Sequence, residues 1–215
     1  MNIKLNAKQQ SYLGLKIAVP VWVLSILIAL ITYGYKFPSS NNLSEVPPVL
    51  SLLNPDLYQH DFYVQETLEI TPRYFYQYLV FFLVKLLSSI SLVYFLLYVL
   101  AFTSFVLGLY NLGKYLGKTK ITGSLLAFLG LTTLHGTVGY VSLFRSEPIP
   151  AIFAMGLSIW GIYFCFRKSW KIGYVFFGLA CLIQFLVGGL PGSLMLIPLA
   201  VDAYRQKSWV NVALP

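Results

Sequence analysis

"YFYQYLVFFLVKLLSSISLVYFLLYVLAFTSFVLGLY", residues 74–110, decides the fold. Its only charged residue is Lys85. The apolar positions run on continuously and do not alternate, which argues for helix and against a strand of a membrane barrel. As one helix the stretch would measure roughly 55 Å at ~1.5 Å per residue, well beyond a ~30 Å hydrocarbon core. The serine pair at 88 and 89 divides it. A helix over 72–87 begins at "TPRY", where Thr71 suits the N-cap and Pro72 the first helical position. Gln77, Lys85 and Ser88 fall within about 80° on a helical wheel, so this first helix reads as amphipathic, lying at the interface or lining a cavity. The second piece, 88–112, reads as a membrane span.

The rest of the chain extends the same pattern. Of its 215 residues, 58% are hydrophobic and 10% charged, whereas a soluble domain is about 25% charged. The fold class this implies is all-α, a polytopic integral membrane protein, because lipid leaves a helix as the way to satisfy backbone groups within a segment. Further spans are expected at 17–35, 121–140, 150–166, 172–188 and 193–204, six in all within a single transmembrane domain, 1–215. Residues 36–87 form the first outer loop, with short amphipathic helices. Cys165 and Cys181 lie inside apolar runs with no CxxC spacing and read as small buried hydrophobes.

Charge orients the chain. With the N-terminus cytoplasmic, the inner segments hold Lys4, Lys8, Lys16, Lys114, Lys118, Lys120, Arg167, Lys168, Lys171, Arg205 and Lys207, eleven of fifteen basic residues. That follows the positive-inside rule. It also accounts for the net charge of +8 without nucleic acid, for which no binding motif is present. Glu45, Asp56, Asp61, Glu66, Glu69 and Glu147 fall outside, leaving Asp202 inside.

The outer loop concentrates the chemistry. "NPDLYQHDFYVQE", residues 54–66, gathers two aspartates, a histidine and a glutamate in a chain with seven acidic residues and two histidines. Asn54 can cap a short helix with Pro55 at its first position and Asp56 in its first turn. A carboxylate here, Asp61 or Asp56, can serve as a general base. An arginine, Arg73 or Arg145, can hold a phosphate at the lipid surface. Each has a plainer role as well. The aspartates suit helix caps in a wet loop, Arg73 an interfacial anchor, and Arg145 a partner for Glu147. Lys85 is costly in lipid unless it faces water or a partner. His135, in the third span, is satisfied either by neighbouring threonines or by a functional role.

A basic N-terminus, one span, then a long outer loop with an acidic motif leading into an amphipathic helix resembles the opening of GT-C glycosyltransferases. "LNPDLYQHDFYVQETLEITPRYFYQYL" looks like the first loop of uncharacterised bacterial members, and "SEPIPAIFAMGLSIWGIYFCFRKSWKIGYVFFGLACLIQFLVG" resembles their short helix hairpins. The resemblance implies an inverting enzyme of the bacterial inner (plasma) membrane that takes a sugar from a polyprenyl-phosphate donor at the extracytoplasmic face. Asp61, with Asp56 second, would activate the acceptor hydroxyl. His60, Arg73, Lys85 and Arg145 would bind substrate. No cofactor is implied, and a divalent metal is left open, although one histidine beside one aspartate is a thin ligand set. The acidic pair is spaced as "DLYQHD", not as the adjacent dyad of well-known members, and six spans are fewer than those enzymes usually carry. A short or inactive relative, or an N-terminal portion of a longer chain, is therefore expected. The alternative from another class is a non-enzymatic membrane protein, either a small transporter or an assembly subunit. Transport is disfavoured because the polar groups lie in outer loops and not at mid-membrane depth.

Overall fold

The computed structural model describes residues 34–132 and 146–206, together with the helical positions 23, 24, 27, 28, 30 and 31. Most of the expected span 17–35, residues 133–140 of the expected span 121–140, and His135 and Arg145 lie outside the described residues. The elements among those described are all helices, with no strand.

The run that opened the reading breaks at its serines. Helix α3, Tyr74–Leu87, ends at Ser88, which adopts the left-handed conformation (φ 54°) and whose N–H donates to Val84 O. Ser89 then caps the next helix, α4, Ile90–Gly117, by accepting from the Leu92 N–H at 3.3 Å. Before α3 come a 3₁₀ turn at Ser40–Ser44, α1 at Val46–Leu53 and α2 at Phe62–Leu68. After α4 come α5 (Lys120–Thr132), α6 (Pro150–Phe166), α7 (Trp170–Ile183) and α8 (Phe185–Gln206).

Helix α4 is the central element, packed against α3, α5 and α6. Its buried residues, among them Tyr94, Leu97, Tyr98, Ala101, Phe102, Phe105 and Leu109, recur at three and four and so form one stripe. Glycines let neighbours close in. Gly108 lies against Ile159, and Gly156 against Ala101 and Ser104. Trp160 Nε1 donates to Ser104 O at 3.0 Å and Tyr115 Oη to Phe166 O at 2.9 Å, so α4 and α6 run parallel with their C-terminal ends together. Helix α5 returns antiparallel to α4, α7 antiparallel to α6, and α8 antiparallel to α7.

Four sequence expectations shift. Asn54 caps the C-terminus of α1, and residues 55–60 form turns, not a helix. Asn54 Oδ1 instead accepts from the Asp56 N–H at 3.2 Å, the local bond that makes asparagine a turn residue. Helix α3 begins at Tyr74 and not at Pro72; the Tyr74 N–H donates to Thr71 O in a turn. The expected polar face of α3 is split, because Gln77 joins Tyr76, Val80 and Val84 on the buried side while Lys85 is exposed. Finally, the break expected at "GGLPG", between the spans 172–188 and 193–204, is not there. Helix α7 stops at Ile183, Gln184 is extended, and α8 runs through Pro191 and Pro198. Gly188 sits where a Cβ would lie 2.5 Å from Cys181 N, so the sharp α7–α8 reversal depends on a residue without a side chain.

Among the described residues, two helices are long and apolar enough to cross a membrane, Ile90–Gly117 and Phe185–Arg205. Their outer faces, and those of the shorter helices, are apolar. Phe82 and Leu86 on α3, Leu100 on α4, Phe128 and Leu129 on α5, and Leu186, Leu190, Leu194 and Ile197 on α8 are each more than half exposed.

Candidate functional site

At the end of the bundle where α4 and α6 begin, the segments before α1 and before α6 close over the core. The Lys36 N–H donates to Ser146 O at 2.9 Å, Asn41 Nδ2 donates to Glu147 Oε2, and Asn42 Nδ2 donates to Pro148 O at 3.4 Å. Phe37 stacks on Tyr94 with ring centroids 4.6 Å apart. The 3₁₀ turn delivers Glu45 into this lid just before the proline pair that starts α1, and only 2% of Glu45 is exposed.

Glu45 Oε1 lies 3.6 Å from Arg73 Nη1, and the same guanidinium nitrogen donates to Ser44 Oγ at 3.4 Å. The pairing is lopsided. Burial strips water from the carboxyl and pushes its pKa up to about 8; the Arg73 charge pulls it back, and nearby Glu147 pushes it further up. Arg73 is 41% exposed, so solvent screens its attraction and the desolvation of Glu45 wins. Near neutral pH this is a protonated carboxyl beside a cation, poised to exchange a proton.

The surroundings have hydrogen-bonding capacity to spare. Glu45 Oε2 and both amide atoms of Gln77 are buried without a hydrogen-bond partner among the described residues, beside the Tyr76 and Tyr94 hydroxyls, which interact with each other. Buried polar atoms of this kind are nearly always satisfied. Such a group can recognise a hydroxyl-bearing ligand and move a proton to or from it.

The expected site residues are distributed differently. Asp61 caps α2, its Oδ1 accepting from the Val64 N–H at 3.0 Å. Asp56 is exposed and accepts from Gln59 Nε2 at 3.3 Å; His60 is exposed on the same turn. Arg73 reaches Glu45 and neither aspartate. Lys85 lies twelve residues further along α3, about 18 Å at ~1.5 Å per residue, with its ammonium 4.6 Å from the centre of the Phe81 ring. Asp56, His60 and Asp61 thus share one turn, whereas Arg73 and Lys85 do not converge on a common point. Glu45 was missed as a site residue because "SEVPP" has no signature spacing, and its burial depends on a lid that closes across more than one hundred residues of sequence. Among the described residues, no three His, Cys, Asp or Glu side chains are grouped to hold a metal ion. No protein-family model, curated protein or solved structure matches the chain.

Proposed function

We propose that the chain is a six-span membrane protein with a cytoplasmic N-terminus, working at the extracytoplasmic face as a GT-C-like glycosyltransferase or an inactive relative of one. Membrane residence is supported by the helices' outer surfaces. In α8 only 17% of the apolar window is buried inside the protein, far below what the core helix of a soluble domain would show. Exposed leucines and phenylalanines on consecutive helices would aggregate in water and are at home against lipid tails. Orientation is supported by charge. Glu45, Glu147 and Arg73 gather where α4 and α6 start, while Lys114, Lys118, Arg167 and Lys168 gather where they end.

The observation that carries the enzymatic reading is the Glu45–Arg73 pair on the acidic side. In the proposed reaction the ionised form of Glu45, the minority form near neutral pH, takes the proton of an acceptor hydroxyl. The acceptor oxygen bonds to the anomeric carbon as that carbon's bond to the polyprenyl phosphate breaks. The phosphate leaves with the electron pair, its charge held by Arg73. Asp61 and Asp56, exposed on the neighbouring turn, are the other carboxylates for the proton step. Sugar transfer from a panel of polyprenyl-phosphate-linked hexoses, in membranes containing the wild type, Glu45→Gln or Asp61→Asn, tests this. Transfer that one of the two variants abolishes identifies the base. Full transfer by both, or none by wild type, removes the mechanism.

The near-complete burial of Glu45 favours a second reading, in which the lid is a structural clasp of an assembly subunit. On that reading Glu45→Gln changes stability or complex formation while no hexose donor is used.

A further inference from the structure

The opposite end of the bundle holds a cavity of about 720 Å³ whose lining includes Asn111, Lys114, Tyr115, Leu116, Lys118, Tyr163 and Arg167. It opens between the C-terminal ends of α4 and α6, which Tyr115 ties together through Phe166 O. We propose that this cleft binds a phosphate-bearing anion, independently of whatever chemistry the acidic end performs.

Three cations face it, and no carboxylate is among its described lining residues. Asp202, the acidic residue that the sequence pattern assigns to this end, is already paired with Lys168. Lys114 and Lys118 stand one turn apart at the end of α4, where like charges repel unless an anion lies between them. The two helix C-termini contribute roughly half a negative charge each, which leaves the cleft about two charges positive. Arg167 is held in place, donating to Tyr163 Oη at 3.1 Å with its guanidinium 5.6 Å from the centre of that ring. A planar guanidinium fork with two ammoniums beside it is suited to phosphate oxygens.

A lipid headgroup and a soluble phosphate compound share this chemistry. The full chain in phosphatidylcholine nanodiscs, with or without phosphatidylglycerol, separates the sources. Retained phosphatidylglycerol is counted by native mass spectrometry, and binding of inorganic phosphate or glycerol phosphate is followed by calorimetry. Saturable binding of either is expected. Arg167→Gln or Lys118→Gln should weaken it about tenfold, while Lys171→Gln, which removes the same charge outside the cleft, should change it less than about twofold. Retention of phosphatidylglycerol alone identifies the headgroup; binding without it identifies a soluble ligand. Wild-type protein that prefers neither anion, or a Lys171→Gln loss as large as the others, overturns the proposal. The wild-type comparison decides even if a variant does not fold.

Discussion

Glu45 and Asp61 show how burial separates two carboxyls of similar chemistry. Asp61 was legible in the sequence as a candidate cap or base, and it does cap a helix, because the bond to the Val64 N–H needs only local chain geometry. Replacing it separates the two roles. Asp61→Ala should lower stability by about 1 kcal/mol, whereas Asp61→Asn should leave stability unchanged, since asparagine caps as well as aspartate. Chemical denaturation of both variants reads this directly, and activity lost in Asp61→Asn, where the cap and the stability are kept, would mark a base. Glu45 was legible only as one more outer-loop acid. Its carboxyl, with a pKa raised from 4.5 to about 8, holds its proton in the folded protein where the unfolded chain has lost it. Its contribution to stability is therefore fully present below about pH 4.5, is lost progressively as pH rises towards 8, and levels off above. The wild type should lose stability across that window, by an amount on the order of a few kcal/mol. Glu45→Gln, which cannot titrate, should be flatter over the same range. Parallel curves for the two proteins would show that Glu45 does not hold its proton.

Among the elements, the boundaries set by local chemistry were readable and those set by packing were not. Ser88 and Ser89 end one helix and start another with bonds to their immediate neighbours, so the division of the 74–110 run falls where the sequence put it. Pro150 likewise opens α6 at the expected place. The α7–α8 reversal was misplaced because the usual breaker signals, three glycines and a proline in "GGLPG" (188–192), lie inside α8. Gly188 is there for space: its missing side chain lets α8 meet Cys181 N and Phe177 O on α7. Gly178, on α7, has no heavy atom within 4 Å of where its Cβ would be. The two positions should therefore respond in opposite directions to alanine. Gly188→Ala should cost about 1–3 kcal/mol through overpacking against backbone that cannot yield. Gly178→Ala should gain roughly 0.5–1 kcal/mol of helix propensity. Thermal unfolding in detergent distinguishes them, and equal shifts would mean that the two helices do not approach as closely as the structure has them.

At the scale of the molecule, the sequence pattern placed acidic and basic residues in alternate connections, and the helix directions carry that alternation into space. Parallel α4 and α6 put Glu45, Arg73 and Glu147 at one end and Lys114, Lys118 and Arg167 at the other. What the pattern lacked was the cross-chain closure of Asn41 and Asn42 onto 147–148, because hydrogen bonds between distant loops leave no periodicity to read. A chain threaded as proposed exposes these ends to different compartments. With Cys165 and Cys181 first replaced by alanine, Phe62→Cys and Lys171→Cys place single thiols on opposite sides, at positions exposed in the fold. In intact cells a membrane-impermeant maleimide should label the Phe62→Cys protein and spare the Lys171→Cys protein, which should react only after the membrane is opened. The reverse pattern would invert the orientation and put the Glu45 centre in the cytosol, where the polyprenyl-phosphate reading fails. Equal labelling of both in intact cells would remove the membrane from between them, and with it the explanation for the apolar outer faces of α3, α5 and α8.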